Sequence, residues 1–320
     1  MHNDSLIDDD DDDGELYELS LYELIFWCIL YVVIALLAVV GNSLVIYITL
    51  IRLRSRAVTT HFIINLALAD LLTGIFAIPF KFQAALFQEW FLPWSLCQIV
   101  PYAETVSLSV SVFTLTASAV HEFRTVFFAK NRRVNGRNVK SFVVVIWVIA
   151  AVVSLPHGLF HKVYEIPDVY NIYLTIIHYF VPMIILDTAY TMIAIKKALI
   201  KKMMNSRKNP SYSNKTSKSL LTHTDLLKVV QLMNMLMIVV ACFSLCWFPL
   251  ETYLLLNEVR PEINGWKYIN VLFFCSHWLA MSNSCLNPII YGLYNKIISA
   301  CDLPGARGEY ARRWTTDVNS

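Results

Sequence analysis

Seven apolar stretches constrain this chain more than any other feature. They run at about 24–50, 60–84, 97–128, 141–160, 172–195, 226–256 and 268–294. Each is near or above the ~20 residues a helix needs to cross a bilayer. A membrane helix satisfies its backbone polar groups within itself, so the sequence predicts an all-α membrane protein, a seven-transmembrane helix bundle. A composition of 57% hydrophobic and 16% charged residues agrees, since soluble domains carry about 25% charged residues. The segment ahead of the first stretch is acidic and lacks a basic start, so that stretch is expected to be a retained span and not a cleaved leader.

Orientation follows from the basic residues. The loops after spans one, three and five, together with the tail, hold 22 of the 26 Lys and Arg residues. Lys81, Lys162, Arg260 and Lys267 are left for the other side. Lys and Arg collect on the cytoplasmic side, which puts the N-terminus outside and the C-terminus inside. The expected parts are an acidic extracellular tail at 1–23, a seven-span domain at 24–295 and a short cytoplasmic tail at 296–320. The formal charge of +2 gives no reason to expect a nucleic-acid partner. Six consecutive aspartates at 8–13 are either a solvated tail or an attractor for a basic extracellular ligand. Asn3-Asp4-Ser5 is a glycosylation sequon on the expected outer side.

Polar side chains inside the spans narrow the function. Asp70 sits in mid-span, where a carboxylate is a candidate functional group. Asn283, Asn287 and Tyr291 recur every four residues and share one helical stripe. Lipid would not tolerate that stripe, so it must face other helices or trapped water. Either it is polar glue between static helices, or it belongs to a moving one. Pro288 favours movement, because it donates no N–H and crowds the carbonyl of Ser284. Gly41 lets another helix approach closely, and Asn42 needs a partner inside the bundle. Glu104, Ser107 and Ser111 share a face of span three. Phe243, Trp247 and Glu251 stack along span six, beside Pro249. Lys81, Glu104 and Glu251 lie in outer halves of their spans. They either hold a charged peptide group, or Lys81 and Glu104 close the bundle as an internal ion pair. His277 lines the same region or is a satisfied core histidine.

Gly41-Asn42, Leu68-Ala69-Asp70, Trp147, Pro182, Cys246-Trp247-Phe248-Pro249 and Asn287-Pro288-Ile289-Ile290-Tyr291 occur in order on successive spans. As a set they resemble the rhodopsin-like G-protein-coupled receptors, over about residues 24–295. Within that class the segments 109–116, 268–270 and 275–285 are most similar to invertebrate kinin (leucokinin-type) neuropeptide receptors. Tachykinin-, neuropeptide Y- and RFamide-type receptors share parts of them.

The resemblance implies a plasma-membrane receptor, not an enzyme, with three working regions. The first is an outer pocket for an extracellular, kinin-like amidated neuropeptide. The second is a sodium site at Asp70, Ser111, Asn283 and Asn287 beneath Trp247. The third is an inner face that opens to a heterotrimeric G protein. Phe243, Trp247 and Pro182 would pass the signal, with Tyr190 and Tyr291 stabilising the open state.

The sequence departs from the family at two places. Where the family has an acidic residue, an arginine and an aromatic, this chain has His121-Glu122-Phe123, so Glu122 reverses the charge expected to meet the G protein. Arg124 lies about 200° further round the helix and does not replace it. Cys97 matches one half of the family's outer disulfide, but the loop after span four has no cysteine, so Cys97 lacks its expected partner. A non-coupling or decoy peptide-binding protein of the same fold is therefore the alternative. The post-span-seven helix is expected to be short or missing, with Cys301 a candidate for palmitoylation. A retinal protein would need a lysine within span seven, a metallohydrolase clustered ligands, and a transporter repeated halves. None of these is visible in the sequence.

Overall fold

The computed structural model describes residues 20–51, 58–87, 93–127, 136–160, 172, 175–206 and 223–302. Asn3 with the acidic run, most of the loop after span four, the lysine-rich stretch 207–222 and the tail from 303 lie outside the described residues.

Span one is α1 (Leu21–Ile51). Span two is α2 (Val58–Leu72), a π-helical turn (Thr73–Ala77) and α3 (Ile78–Phe87). Spans three and four are α4 (Trp94–Phe127) and α5 (Gly136–Phe160). Span five is a π-helical turn (Ile176–Phe180) followed by α6 (Val181–Ser206). Span six is α7 (His223–Val259). A 3-10 turn (Pro261–Gly265) then leads into span seven, α8 (Ile269–Asp302).

All seven apolar stretches thus form helices. Among the described residues, five helical segments are both long and apolar enough to cross a membrane: Leu21–Ile51, Val58–Ala84, Ser95–Arg124, Val139–Pro156 and Met233–Val259. Spans five and seven are diluted by what they carry. Asp187 and four lysines sit in α6, and a histidine with a run of Ser and Asn sits in α8. The helix of span seven, α8, continues without a break to Asp302.

The bundle is arranged inside out relative to a soluble protein. Val32, Leu36, Val40 and Leu44 of α1 and Val144, Val148 and Val152 of α5 are exposed. Asn42, Asn65, Asp70, Ser111, Asn283 and Asn287 are each 4% exposed or less. Apolar surface costs nothing against acyl chains, whereas an unpaired polar group there costs several kcal/mol. Polar residues therefore turn inward and decide the helix faces.

Small residues set how closely the helices meet. A Cβ added at Gly41 would stand 3.0 Å from Pro288 Cγ and 3.1 Å from Pro288 Cβ, so the proline ring of span seven nests on a bare stretch of span one. A Cβ at Gly74 would stand 3.1 Å from Ala38 and Val39 side-chain atoms, which seats the π turn of span two on the same helix. That turn has a local cause. Pro79 offers no N–H to the carbonyl one turn before it, and the chain ahead winds wider, with the Ile78 N–H reaching the Thr73 carbonyl. Such π turns re-aim the residues beyond them, here Lys81.

Candidate functional site

Asp70 is the hub of the bundle's middle layer. Its Oδ2 accepts a hydrogen bond from Asn287 Nδ2 at 2.7 Å, and Ser284 supplies a second side-chain donor. Both partners come from span seven. The backbone there is open because Pro288 leaves the Ser284 carbonyl without its helical donor. Asn42 Nδ2 fills that gap from span one at 2.8 Å and also reaches the Ala38 carbonyl at 2.9 Å. The proline, the glycine opposite it and the neighbouring asparagine thus form one joint between spans one and seven.

Span three supports Asp70 from the other side. Ser107 Oγ donates to the Ala69 carbonyl at 2.7 Å and pairs with the Thr73 hydroxyl. Ser111 lies one turn inward on the same face, buried. Lower down, Trp147 Nε1 donates to Asn65 Oδ1 at 2.8 Å, and Asn65 Nδ2 donates to Thr114 Oγ1 at 2.6 Å. That relay ties spans four, two and three together.

Several buried groups in this layer have no hydrogen-bond partner among the described residues. They include Asn283 Oδ1, Asn287 Oδ1 and Trp247 Nε1. A carboxylate and two amide oxygens without a partner among the described residues are donors of the kind a hard cation takes. The residues present therefore fit a sodium ion.

The outer layer gathers the charged residues singled out from the sequence. Lys81 Nζ stands 2.9 Å from Glu104 Oε2, so the internal ion pair is realised. Glu251, 7% exposed, lies near enough to Glu104 for the two carboxylates to repel. His277 senses the charges of both Glu104 and Lys81. One of its nitrogens is satisfied, since Nδ1 meets Tyr31 Oη at 2.8 Å. The ring stacks on Tyr31 and Phe273, with centroids at 5.7 and 5.5 Å. Its Nε2 is buried with no partner among the described residues. Trp247, one turn inward from Glu251, tilts at 30° to Phe243 with ring centroids 6.0 Å apart. Pro182 is buried just past the π turn of span five. From that turn Tyr179 Oη donates to the Ser244 carbonyl of span six at 2.9 Å, five residues before Pro249. A separate apolar groove of about 490 Å³ lies between the outer ends of α7 and α8 and holds none of these charged groups.

The chain matches the family description "7 transmembrane receptor (rhodopsin family)" over residues 41–291. It belongs to the rhodopsin family of seven-transmembrane receptors. It is 28% identical over 291 residues to the neuromedin-K receptors of Oryctolagus cuniculus and of Homo sapiens, covering 86% of this chain and 60% of each relative. It is 28% identical over 294 residues to the substance-P receptor of Homo sapiens, covering 86% of this chain and 69% of the relative. The receptor thus spans about 60% of the length of the neuromedin-K receptors it matches. The kinin-type wording of its spans draws no support from these relatives.

At the receptor's inner end, Glu122 is buried at 4% exposure and accepts a long 3.4 Å hydrogen bond from Thr59 Oγ1. It lies near Tyr190, whose hydroxyl is buried with no partner among the described residues. Tyr291 is buried close to both Asp70 and Tyr190. Arg124 is exposed, as its place on the opposite helix face predicts. Cys97 is a buried free thiol, and Cys28, Cys242, Cys246, Cys275 and Cys285 are free as well.

Sequence reasoning missed three features: Tyr31 as the partner of His277, the Asn65–Trp147–Thr114 relay, and the π turns. Asn65 in an apolar span was a usable signal, since a buried amide needs partners. Pro79 shortly after Gly74 was another.

Proposed function

We propose that this protein is a plasma-membrane receptor that binds an extracellular peptide and answers by opening its inner face to a heterotrimeric G protein. The observation that supports this most is the gathering of Lys81, Glu104, Glu251 and His277 at the outer end, one turn above Trp247. That position couples an outer ligand to the bend of span six at Pro249 and, through α8, to the Asp70–Asn287 bond. The ligand shifts the equilibrium only by the difference between its affinities for the two bundle shapes. Asp70, Ser111, Asn283 and Asn287 would hold a sodium ion in the closed shape, and that ion would offset the carboxylate's charge. Phe243 and Trp247 carry the rearrangement in span six, and Tyr190 and Tyr291 converge at the inner end. The relatives favour a neuropeptide of the tachykinin type, with the kinin-type amidated peptide beside it on the wording of spans three and seven.

Glu122 favours a second reading. A buried carboxylate where the family places an arginine presents the wrong charge to a G protein, and a receptor-like protein that binds peptide without coupling would tolerate it. One experiment addresses both. Cells expressing the chain are challenged with tachykinin- and kinin-type amidated peptides while calcium and bound labelled peptide are read in parallel. Binding with a calcium rise supports the coupled receptor. Binding without response supports the decoy, and no binding by any peptide overturns both.

A further inference from the structure

We infer that the outer pocket selects a cationic ligand group, a guanidinium or an amine, and that Glu251 is the residue that takes it. This rests on the peptide-receptor proposal and gives its ligand a chemical class. Glu104, Glu251 and Lys81 are the charged residues gathered around His277 among the described residues. Lys81 is already engaged by Glu104 at 2.9 Å. Glu251 is left with neither a hydrogen bond nor an ion pair to any described residue, although it is more than nine-tenths buried. A buried carboxylate without a partner is expensive, and a ligand cation placed there repays that cost with a charge-assisted bond.

Two other groups around it are also open. Trp247 Nε1, one turn inward, and His277 Nε2, across on span seven, are buried with no partner among the described residues. Tyr179 of span five lies within reach of Glu251's charge but spends its hydroxyl on the Ser244 carbonyl. The outer layer thus holds one carboxyl more than it has cations among the described residues, beside aromatic rings and buried polar atoms that no described residue satisfies. The aspartate run at 8–13 carries the same sign on the same side of the membrane and would raise the local concentration of a basic ligand.

The test uses the full chain in lipid nanodiscs and amidated hexapeptide pools. One position in each pool is fixed as arginine, as citrulline (its uncharged analogue) or as glutamate. Binding is read by thermal stabilisation of the receptor. The arginine pools are expected to bind at least about 30-fold more tightly than the citrulline pools, the low end for a desolvated charge pair. Glu251→Gln should erase that preference while leaving the unliganded melting temperature no lower, because the carboxylate has no partner to lose. Glu251→Arg should turn the preference toward glutamate pools. Equal binding of arginine and citrulline pools, or a preference that survives Glu251→Gln, would overturn the assignment and leave the peptide-receptor proposal standing. Failure of every pool on the native chain would overturn that proposal and this one with it.

Discussion

Replacing Asn42 with leucine should reveal how spans one and seven are joined. Asn42 Nδ2 supplies the hydrogen bond that Pro288 denies the Ser284 carbonyl. Leucine has similar bulk and no donor, so the carbonyl is orphaned in a fully buried place. An unsatisfied buried acceptor costs about 1–3 kcal/mol, and measured polar contacts between membrane helices average ~0.6 and reach ~1.7 kcal/mol. A penalty of about 1–1.7 kcal/mol follows from that overlap. Leucine also removes Asn42 Oδ1, which has no partner among the described residues, and that gain offsets part of the loss. The single substitution is therefore a blunt measure, and a cycle with Pro288→Ala is a sharper one. Alanine at 288 restores the backbone N–H, the Ser284 carbonyl regains its helical donor, and Asn42 becomes dispensable. The four proteins are unfolded at equilibrium in mixed micelles by titration with a denaturing detergent. Asn42→Leu should cost about 1 kcal/mol less in the Pro288→Ala background than alone. Costs that agree within about 0.3 kcal/mol in the two backgrounds would refute the joint.

Gly41→Ala places a methyl 3.0 Å from the Pro288 ring, a rigid neighbour, and should destabilise the bundle by about 1–3 kcal/mol in the same assay. With Pro288→Ala the ring is gone and most of that cost should vanish. Asp70→Asn should abolish any difference in melting temperature between sodium and potassium buffers, and a sodium effect that persists would remove Asp70 from the ion site. Trp147→Phe keeps the ring but frees Asn65 Oδ1, with an expected loss of about 1–2 kcal/mol in detergent unfolding. Glu122→Arg should raise peptide-stimulated nucleotide exchange on a G protein, and an unchanged or lower rate would show that Glu122 is not what limits coupling.

The helical stripes were legible because polar residues in an apolar run leave few choices. Asn283, Asn287 and Tyr291 at spacings of four could only face inward, and the structure buries all three. Gly41 was legible for a similar reason, since a bare position in a span invites a neighbour. What the pattern lacks is the partner. Periodicity names a face but not the helix opposite, so Tyr31 on span one gave no hint of His277 on span seven. The π turns were hidden because they shift the register by one residue, less than the width of an apolar stripe. Lys81 and Glu104 were recognisable as charges that must be paired or functional, yet only the packing shows that they meet each other and leave Glu251 over. The short segments 109–116 and 275–285 fall on buried faces of spans three and seven, where the shared bundle dictates side chains more than the ligand does. They are correspondingly poor guides to which peptide binds.

The central claim is that a polar interior gives the bundle two shapes and that an outside ligand chooses between them. The most direct measurement places one spin label at Arg124, on the inner end of span three, and another at Ile238, on the lipid-facing side of the inner part of span six. Distances are then recorded in sodium, in potassium, and with a binding peptide pool. A short distance that dominates in sodium and gives way to a second, longer one with peptide is the expected result, and Asp70→Asn should populate the longer distance without peptide. A single distance, unchanged by ion, peptide and substitution, would contradict the account.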